Sequence, residues 1–154
     1  MTRVIEGSSD GTGLHIGVVA ARWNQDITDR LVEGALARLT ERGVTDITLV
    51  RVSGALELAL AAKRLAHHGC DAVIAIGTVV KGETDHYDIV VNESARGLNL
   101  VSLETGTPIT NAVLAVHDYT HAVERAGRGD SNKGAEAVDA AISTANALRE
   151  LESN

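Results

Sequence analysis

The sequence predicts an α/β fold in which a four-stranded parallel sheet is covered by helices on both faces, a three-layer α/β/α sandwich. Three observations predict it. Apolar runs of strand length alternate with segments of helical periodicity along the whole chain, the pattern of repeated βα units. The connections between them are short, as compact crossovers of a parallel sheet require. The composition is 44% hydrophobic yet holds no Phe, two Tyr and one Trp, so Val, Leu, Ile and Ala must build the core, as they do in layered α/β proteins. At 154 residues the chain fits one domain able to bury such a core.

Taken in order, residues 14–21 read as a strand and 26–42 as a helix; 47–52 as a strand and 55–68 as a helix. Residues 72–76 are wholly apolar and predict a strand buried on both faces, closed by a turn that opens at Gly77. A helix follows over 84–98 with Thr84 as its N-cap. Residues 109–116 give the fourth strand, and 119–126 and 132–151 the last helices, the final one rich in Ala and Leu at helical spacing. Residues 1–13 stand apart from the domain of 14–154. A short Val4-Ile5 pair precedes Gly7, Ser8, Ser9, Gly11 and Gly13, a stretch too polar to anchor itself. It predicts either a mobile tail or a strand completed by a neighbouring chain.

A formal charge of −7 with no basic run argues against a nucleic-acid surface. The single Cys70 excludes an internal disulfide and reads as a small, half-buried residue, which suits a reducing compartment. The chain begins without a basic segment leading into an apolar one, and no apolar run nears the roughly 20 residues needed to span a bilayer. A cytoplasmic location without membrane contact is the expectation.

In a parallel sheet ligands gather at the carboxyl ends of the strands, and the chemistry-bearing residues fall in those turns. The most informative segment is GTVVKGETDHYD at 77–88, where an apolar strand leads into a cation, hydroxyl, carboxylate and imidazole. Free N–H groups at the helix start favour an anion such as phosphate. Lys81 adds charge, Thr84 a hydroxyl, and His86 a group that moves protons near neutral pH. Trp23-Asn24 follows the first strand. A lone Trp is usually core, and the alternative at a strand end is stacking on a planar heterocycle. Ser53-Gly54-Ala55-Leu56-Glu57 follows the second strand. There Gly54 permits a sharp turn, and Glu57 is either a helix cap or an acceptor for hydroxyls.

Arg125 and Lys133 are ordinary helix-end charges taken alone, although a guanidinium fork suits phosphate. His117 and His121 are four apart, a spacing that two metal ligands on one helix share, but no further ligands stand at recognisable distances, so a surface pair is the reading and no metal is assigned. Neither a P-loop nor a dinucleotide fingerprint nor a G-x-S-x-G turn is present.

In order and spacing, Trp23-Asn24, Gly54-Ala55-Leu56-Glu57, GTVVKGETDHYD, Ile109-Thr110-Asn111 and ERAG followed by NKG resemble the 6,7-dimethyl-8-ribityllumazine synthases of riboflavin biosynthesis, over essentially the whole chain. The resemblance implies a flavodoxin-like fold. It also implies condensation of 5-amino-6-(D-ribitylamino)uracil with 3,4-dihydroxy-2-butanone 4-phosphate through imine formation, phosphate loss and ring closure, without cofactor or metal. By position it implies Trp23 stacked on the pyrimidine, whose polar edge meets the Thr78, Val79 and Val80 backbone. Asn24, Ala55, Leu56 and Glu57 hold the ribityl chain beside Gly54. Gly82, Glu83 and Thr84 bind phosphate near Lys81, His86 transfers protons, and Arg125 clamps the phosphate. Asn111, Arg125 and Lys133 come from the adjacent subunit. A homopentamer follows, with a 60-subunit icosahedral shell suggested by the short link at 127–133, and riboflavin synthase is a candidate partner. Ser53, Leu56, Lys81 and Ala115-Val116 depart from the commonest family pattern, which keeps open a catalytically weak, flavin-binding cage paralogue as the alternative.

Overall fold

The computed structural model describes residues 1–153. Strands and helices alternate as β1 (His15–Ala21), α1 (Gln25–Glu41), β2 (Asp46–Val52), α2 (Leu58–His67), β3 (Ala72–Val80), α3 (His86–Thr105), β4 (Ile109–Val116), α4 (Tyr119–Arg125) and α5 (Lys133–Glu152). The four strands are parallel and lie in the order β2-β1-β3-β4.

Alternation of side chains along each strand divides the core in two. Ile16, Val18 and Ala20 of β1 join Ile74 and Ile76 of β3 beneath α1 and α5, meeting Leu31, Leu39, Val138 and Ile142. Val19, Ala21, Val73 and Ala75 face the other way, against Leu58 and Leu65 of α2 and Leu98 of α3. Burial on both faces is why the two central strands read as unbroken apolar runs. Every residue of β2 is exposed or only half-buried, as its place at the sheet edge allows.

Three boundaries differ from the sequence reading, and each difference shapes the site. First, β3 does not stop at Ile76. Gly77 is paired with Val113 of β4, and the strand runs on through Thr78, Val79 and Val80 in unbroken register. The β-branched Thr-Val-Val run favours the strand, and Gly77 opens no turn. Second, Thr84 is not the N-cap of α3. Asp85 occupies that position, while the Thr84 hydroxyl accepts from the His86 N–H at 3.4 Å. The same helix continues to Thr105, where Gly106 at φ 69° ends it in the left-handed conformation that glycine adopts without penalty. Third, the expected helix over 55–68 is divided, a short 3-10 turn (Ala55–Glu57) preceding α2. Gly54 before it is extended, at φ −148° and ψ −178°, so it makes no sharp left-handed turn.

The polar N-terminal stretch is held more closely than its composition suggests. Gly7 packs on α5, where an added Cβ would come 1.6 Å from the Ser143 carbonyl oxygen. The Asn146 amide donates to the Ser8 and Asp10 carbonyls at 2.9 and 2.8 Å, and the Gly11 N–H donates to the Arg42 carbonyl at 2.7 Å. Main-chain bonds anchor residues 7–13 where side-chain hydrophobicity does not, which corrects the expectation that this stretch cannot anchor itself. Residues 1–6 form no strand on their own chain, and Val4 is exposed. No helix among the described residues is long and apolar enough to cross a membrane.

Candidate active site

Because β3 extends beyond the end of β1, a cleft of about 410 Å³ opens at the carboxyl edge of the sheet. Trp23 from the β1–α1 turn, Gly54 to Glu57 from the β2–α2 turn, Thr78 to Val80 from β3, and Gly82, Thr84 and His86 from the β3–α3 connection line it. Three turns and one strand end from the same edge of the sheet thus converge on one cavity, as open parallel sheets favour. A Cβ at Gly54 would make only an ordinary contact, 3.6 Å from the Glu57 carboxylate.

The main chain of β3 supplies the cleft with polar groups. The Lys81 N–H donates to Val116 on β4 at 2.9 Å, and the Thr78 carbonyl accepts from the Asn24 amide on the opposite side at 2.8 Å. Alternation along an extended strand then turns the Val80 N–H and C=O toward the β1 side. Pairing with β1 ends at Ala20↔Ile76, so no strand covers Val80 there. A donor and an acceptor on one residue are the complement of a heterocyclic amide edge.

Trp23 is 74% exposed and sits at the cleft, which removes the core reading. The turn that presents it is over-determined. Asn24 adopts φ 54° and ψ 49°, a left-handed conformation that costs about 1 kcal/mol and suits Asn better than most side chains. Its amide is engaged by Thr78, and it stands behind the cleft wall rather than on it. The buried Thr28 hydroxyl lies 3.2 Å from the Trp23 carbonyl and 3.1 Å from the Thr78 hydroxyl.

Glu57 makes no side-chain capping bond, so helix capping does not account for it, and its carboxylate belongs to the cleft wall. His86 opens α3 at the far side, next to a connection in which a Cβ on Gly82 would meet nothing within 4 Å. An open backbone at the start of a 20-residue helix is a place where an anion finds N–H donors and a favourable dipole. Lys81 and Glu83 are exposed in the same connection without lining the cavity. Tyr87 and Val90 also line it and escaped the sequence reading. Val90 stands four residues after His86, on one helical face, which was the available signal. The Tyr87 ring meets the His117 ring edge-on at 5.7 Å. His117 precedes α4, so it shares no helical face with His121, and no cluster of three potential metal ligands occurs among the described residues.

The remaining expected residues lie elsewhere. Asn111 is exposed on edge strand β4, three residues before the level of Thr78 and hence about 10 Å along the strand, and its Oδ1 accepts from the Val113 N–H. Arg125 ends α4, donating to the His121 carbonyl at 3.0 Å. Lys133 begins α5 and pairs with Glu136 at 2.9 Å. None of the three lines the cleft of its own chain.

The link between the two cations is stapled at its base. Asn132 is 2% exposed, donates to the Arg30 and Gly127 carbonyls at 3.0 and 2.9 Å, and caps α5 by accepting from the Ala135 N–H at 3.1 Å. A Cβ on Gly34 would come 2.3 Å from its amide, so glycine is required there for the close approach. Arg38 adds a second brace, bonded to Asp139 of α5 and, at 2.7 Å, to Asp130 of the link. Cys70 lies at the opposite end of the sheet, where burial, with Asp71 and Asp46 nearby, pushes its thiol up to about 11.

A cleft at the carboxyl edge of a parallel sheet, lined by an exposed indole, an unpaired strand end, an open helix start and an imidazole, is the arrangement of an α/β-class enzyme that takes a small planar ligand. The family model for 6,7-dimethyl-8-ribityllumazine synthase matches residues 13–149, and the chain belongs to that family. It is 50% identical over 142 residues to the 6,7-dimethyl-8-ribityllumazine synthase of Kineococcus radiotolerans, covering 91% of this chain and 88% of that one. The proteins of the same name from Thermococcus kodakarensis and Nitratidesulfovibrio vulgaris are 45% and 42% identical, over 97% of this chain and 96% and 97% of their own.

Proposed function

We propose that the cleft is where this chain condenses 5-amino-6-(D-ribitylamino)uracil with 3,4-dihydroxy-2-butanone 4-phosphate to give 6,7-dimethyl-8-ribityllumazine, phosphate and water, the transferase step of riboflavin biosynthesis carried out by its family. The observation that carries the reading is the convergence of Trp23, the Val80 main chain and His86 on one cavity. The pyrimidine stacks on Trp23 with its polar edge on the β3 end, and the ribityl hydroxyls run toward Glu57 past Gly54, Ala55 and Leu56. Asn24 serves this site by holding the turn. The phosphate sits over Gly82, Glu83 and Thr84, near Lys81.

The pyrimidine amine attacks the ketone carbonyl and water leaves to form the imine. Phosphate is then eliminated as a proton is taken from the neighbouring sugar carbon, the resulting enol takes a proton at its terminal carbon to become a ketone, and the second amine adds to that ketone and closes the ring with loss of another water. Each step moves a proton, and His86 is the group placed to move it. The leaving phosphate needs more cationic charge than Lys81 alone provides, and Arg125 and Lys133 supply it from an adjacent subunit, with Asn111 as a neutral hydrogen-bonding group. The assembly is therefore a homopentamer, built into a hollow 60-subunit shell, with residues 1–6 pairing against a neighbour's sheet. A cytoplasmic location and riboflavin synthase as a partner complete the reading; no cofactor or metal is invoked. The catalytically weak cage alternative is not favoured, because a container has no use for His86, Arg125 and Lys133 together. Supplying both substrates and recording the absorbance and fluorescence of the lumazine tests the activity: product formation that depends on His86 is expected, and none above the uncatalysed rate would defeat the reading.

A further inference from the structure

We propose that Thr28 is a positioning residue of the cleft: its hydroxyl locks the turn that carries Trp23 to the free end of β3 and so sets the affinity for the planar substrate. Thr28 is wholly buried in the first turn of α1 and does not line the cavity. Its hydroxyl has one proton, and the Trp23 carbonyl at 3.2 Å can only accept it. The Thr78 hydroxyl, 3.1 Å away and 2% exposed, must then donate to the Thr28 oxygen. The order of donors is fixed, running from Thr78 through Thr28 to the Trp23 main chain. The Asn24 amide, bonded to the Thr78 carbonyl at 2.8 Å, closes the loop from the other side.

The consequence is geometric. Trp23 is 74% exposed and has little packing of its own to hold it, so the orientation of its ring depends on the main chain behind it. The acceptor and donor of Val80 are two residues beyond Thr78 on the same strand. One hydroxyl thus links the stacking surface to the polar edge that faces it, and their spacing is a property a planar ligand reads. Without that hydroxyl the Thr78 O–H loses its partner in a dry site, and the two walls are free to move apart.

The inference rests on the reading of Trp23 as the stacking surface. The test uses the full-length assembled protein with Thr28→Val, which replaces the hydroxyl by a methyl of similar size, and Thr28→Ser, which keeps it. Titration with 6,7-dimethyl-8-ribityllumazine is followed by quenching of the single Trp. Thr28→Val is expected to weaken lumazine binding and raise the KM for the pyrimidine by about tenfold, to lower the anisotropy of Trp23 in the free protein, and to leave the KM for the sugar phosphate unchanged. Thr28→Ser is expected to restore wild-type values. Should Thr28→Val not fold, Thr78→Val opens the same hydroxyl pair from the other end and is expected to give the same selective loss. Wild-type binding in the variant lacking the hydroxyl, an equal loss for both substrates, or an equal loss in Thr28→Ser would overturn the inference. Wild-type protein whose Trp23 is indifferent to saturating lumazine would instead overturn the reading it rests on.

Discussion

The two halves of the candidate site are built by different means. The half at the sheet's carboxyl edge is complete within one chain: Trp23, Val80, Glu57 and His86 lie around a single cavity. The half made of Asn111, Arg125 and Lys133 sits on β4 and on either side of the α4–α5 link, outside the lining of that cavity and held in local bonds. On the proposed reading the first half recognises and reacts, and the second adds the charges of Arg125 and Lys133 to that of Lys81. If the proposed roles hold, a chain so divided has its chemistry at one surface and its charge neutralisation at another, and turnover is tied to assembly.

Removing the imidazole should separate chemistry from recognition most sharply. His86→Ala is expected to lower kcat by about 10² to 10⁴ while leaving lumazine binding, read from Trp23 quenching, within a few-fold of wild type. Unchanged turnover in the folded variant would take His86 out of the mechanism. The second half should be sensitive to its staple. Asn132→Ala leaves the Arg30 and Gly127 carbonyls and the Ala135 N–H without their partner, and a loss of about 2–3 kcal/mol in chemical denaturation is expected. A loss under about 0.5 kcal/mol would show that the link does not depend on it. The smallest effect concerns the end of the sheet remote from both halves. The thiol of Cys70 is raised from 9.0 to about 11 in the folded state, so between these values the unfolded chain releases a proton that the folded one keeps, and stability falls as pH rises. Cys70→Ala should flatten that alkaline slope without altering turnover at neutral pH. An unchanged slope would assign it to other groups.

The central strands were legible because burial on both faces writes an unbroken apolar run into the sequence, and the helices because their apolar positions recur at helical spacing. The true end of β3 was not, since Gly77 is a common turn residue and only its pairing with Val113 makes it a strand residue. Trp23 shows two signals in competition. Residue type pointed to the core, position after a strand end pointed to the cleft, and position prevailed because the Asn24 turn holds the ring outward. The Thr28–Thr78 bond joins residues 50 apart through two hydroxyls, and the Asn146 bonds that anchor the N-terminal stretch span 138 and 136 positions. Contacts of that kind have no period and no motif, so no local pattern announces them. Which chain's cleft Arg125 serves is likewise a property of an assembly, and spacing within one sequence carries it only through the family resemblance.

The division of the site between chains is tested most directly by mixing two inactive proteins. His86→Ala and Arg125→Ala are combined in equal amounts under conditions that exchange subunits, with mixing verified by mass. Where an Arg125→Ala chain offers its cleft to a His86→Ala neighbour, both residues are wild type, and random mixing makes about a quarter of the junctions of this kind. Activity should therefore rise from near zero to about a quarter of wild type. Mixed assemblies no more active than their parents would contradict the account and return Arg125 to its own chain.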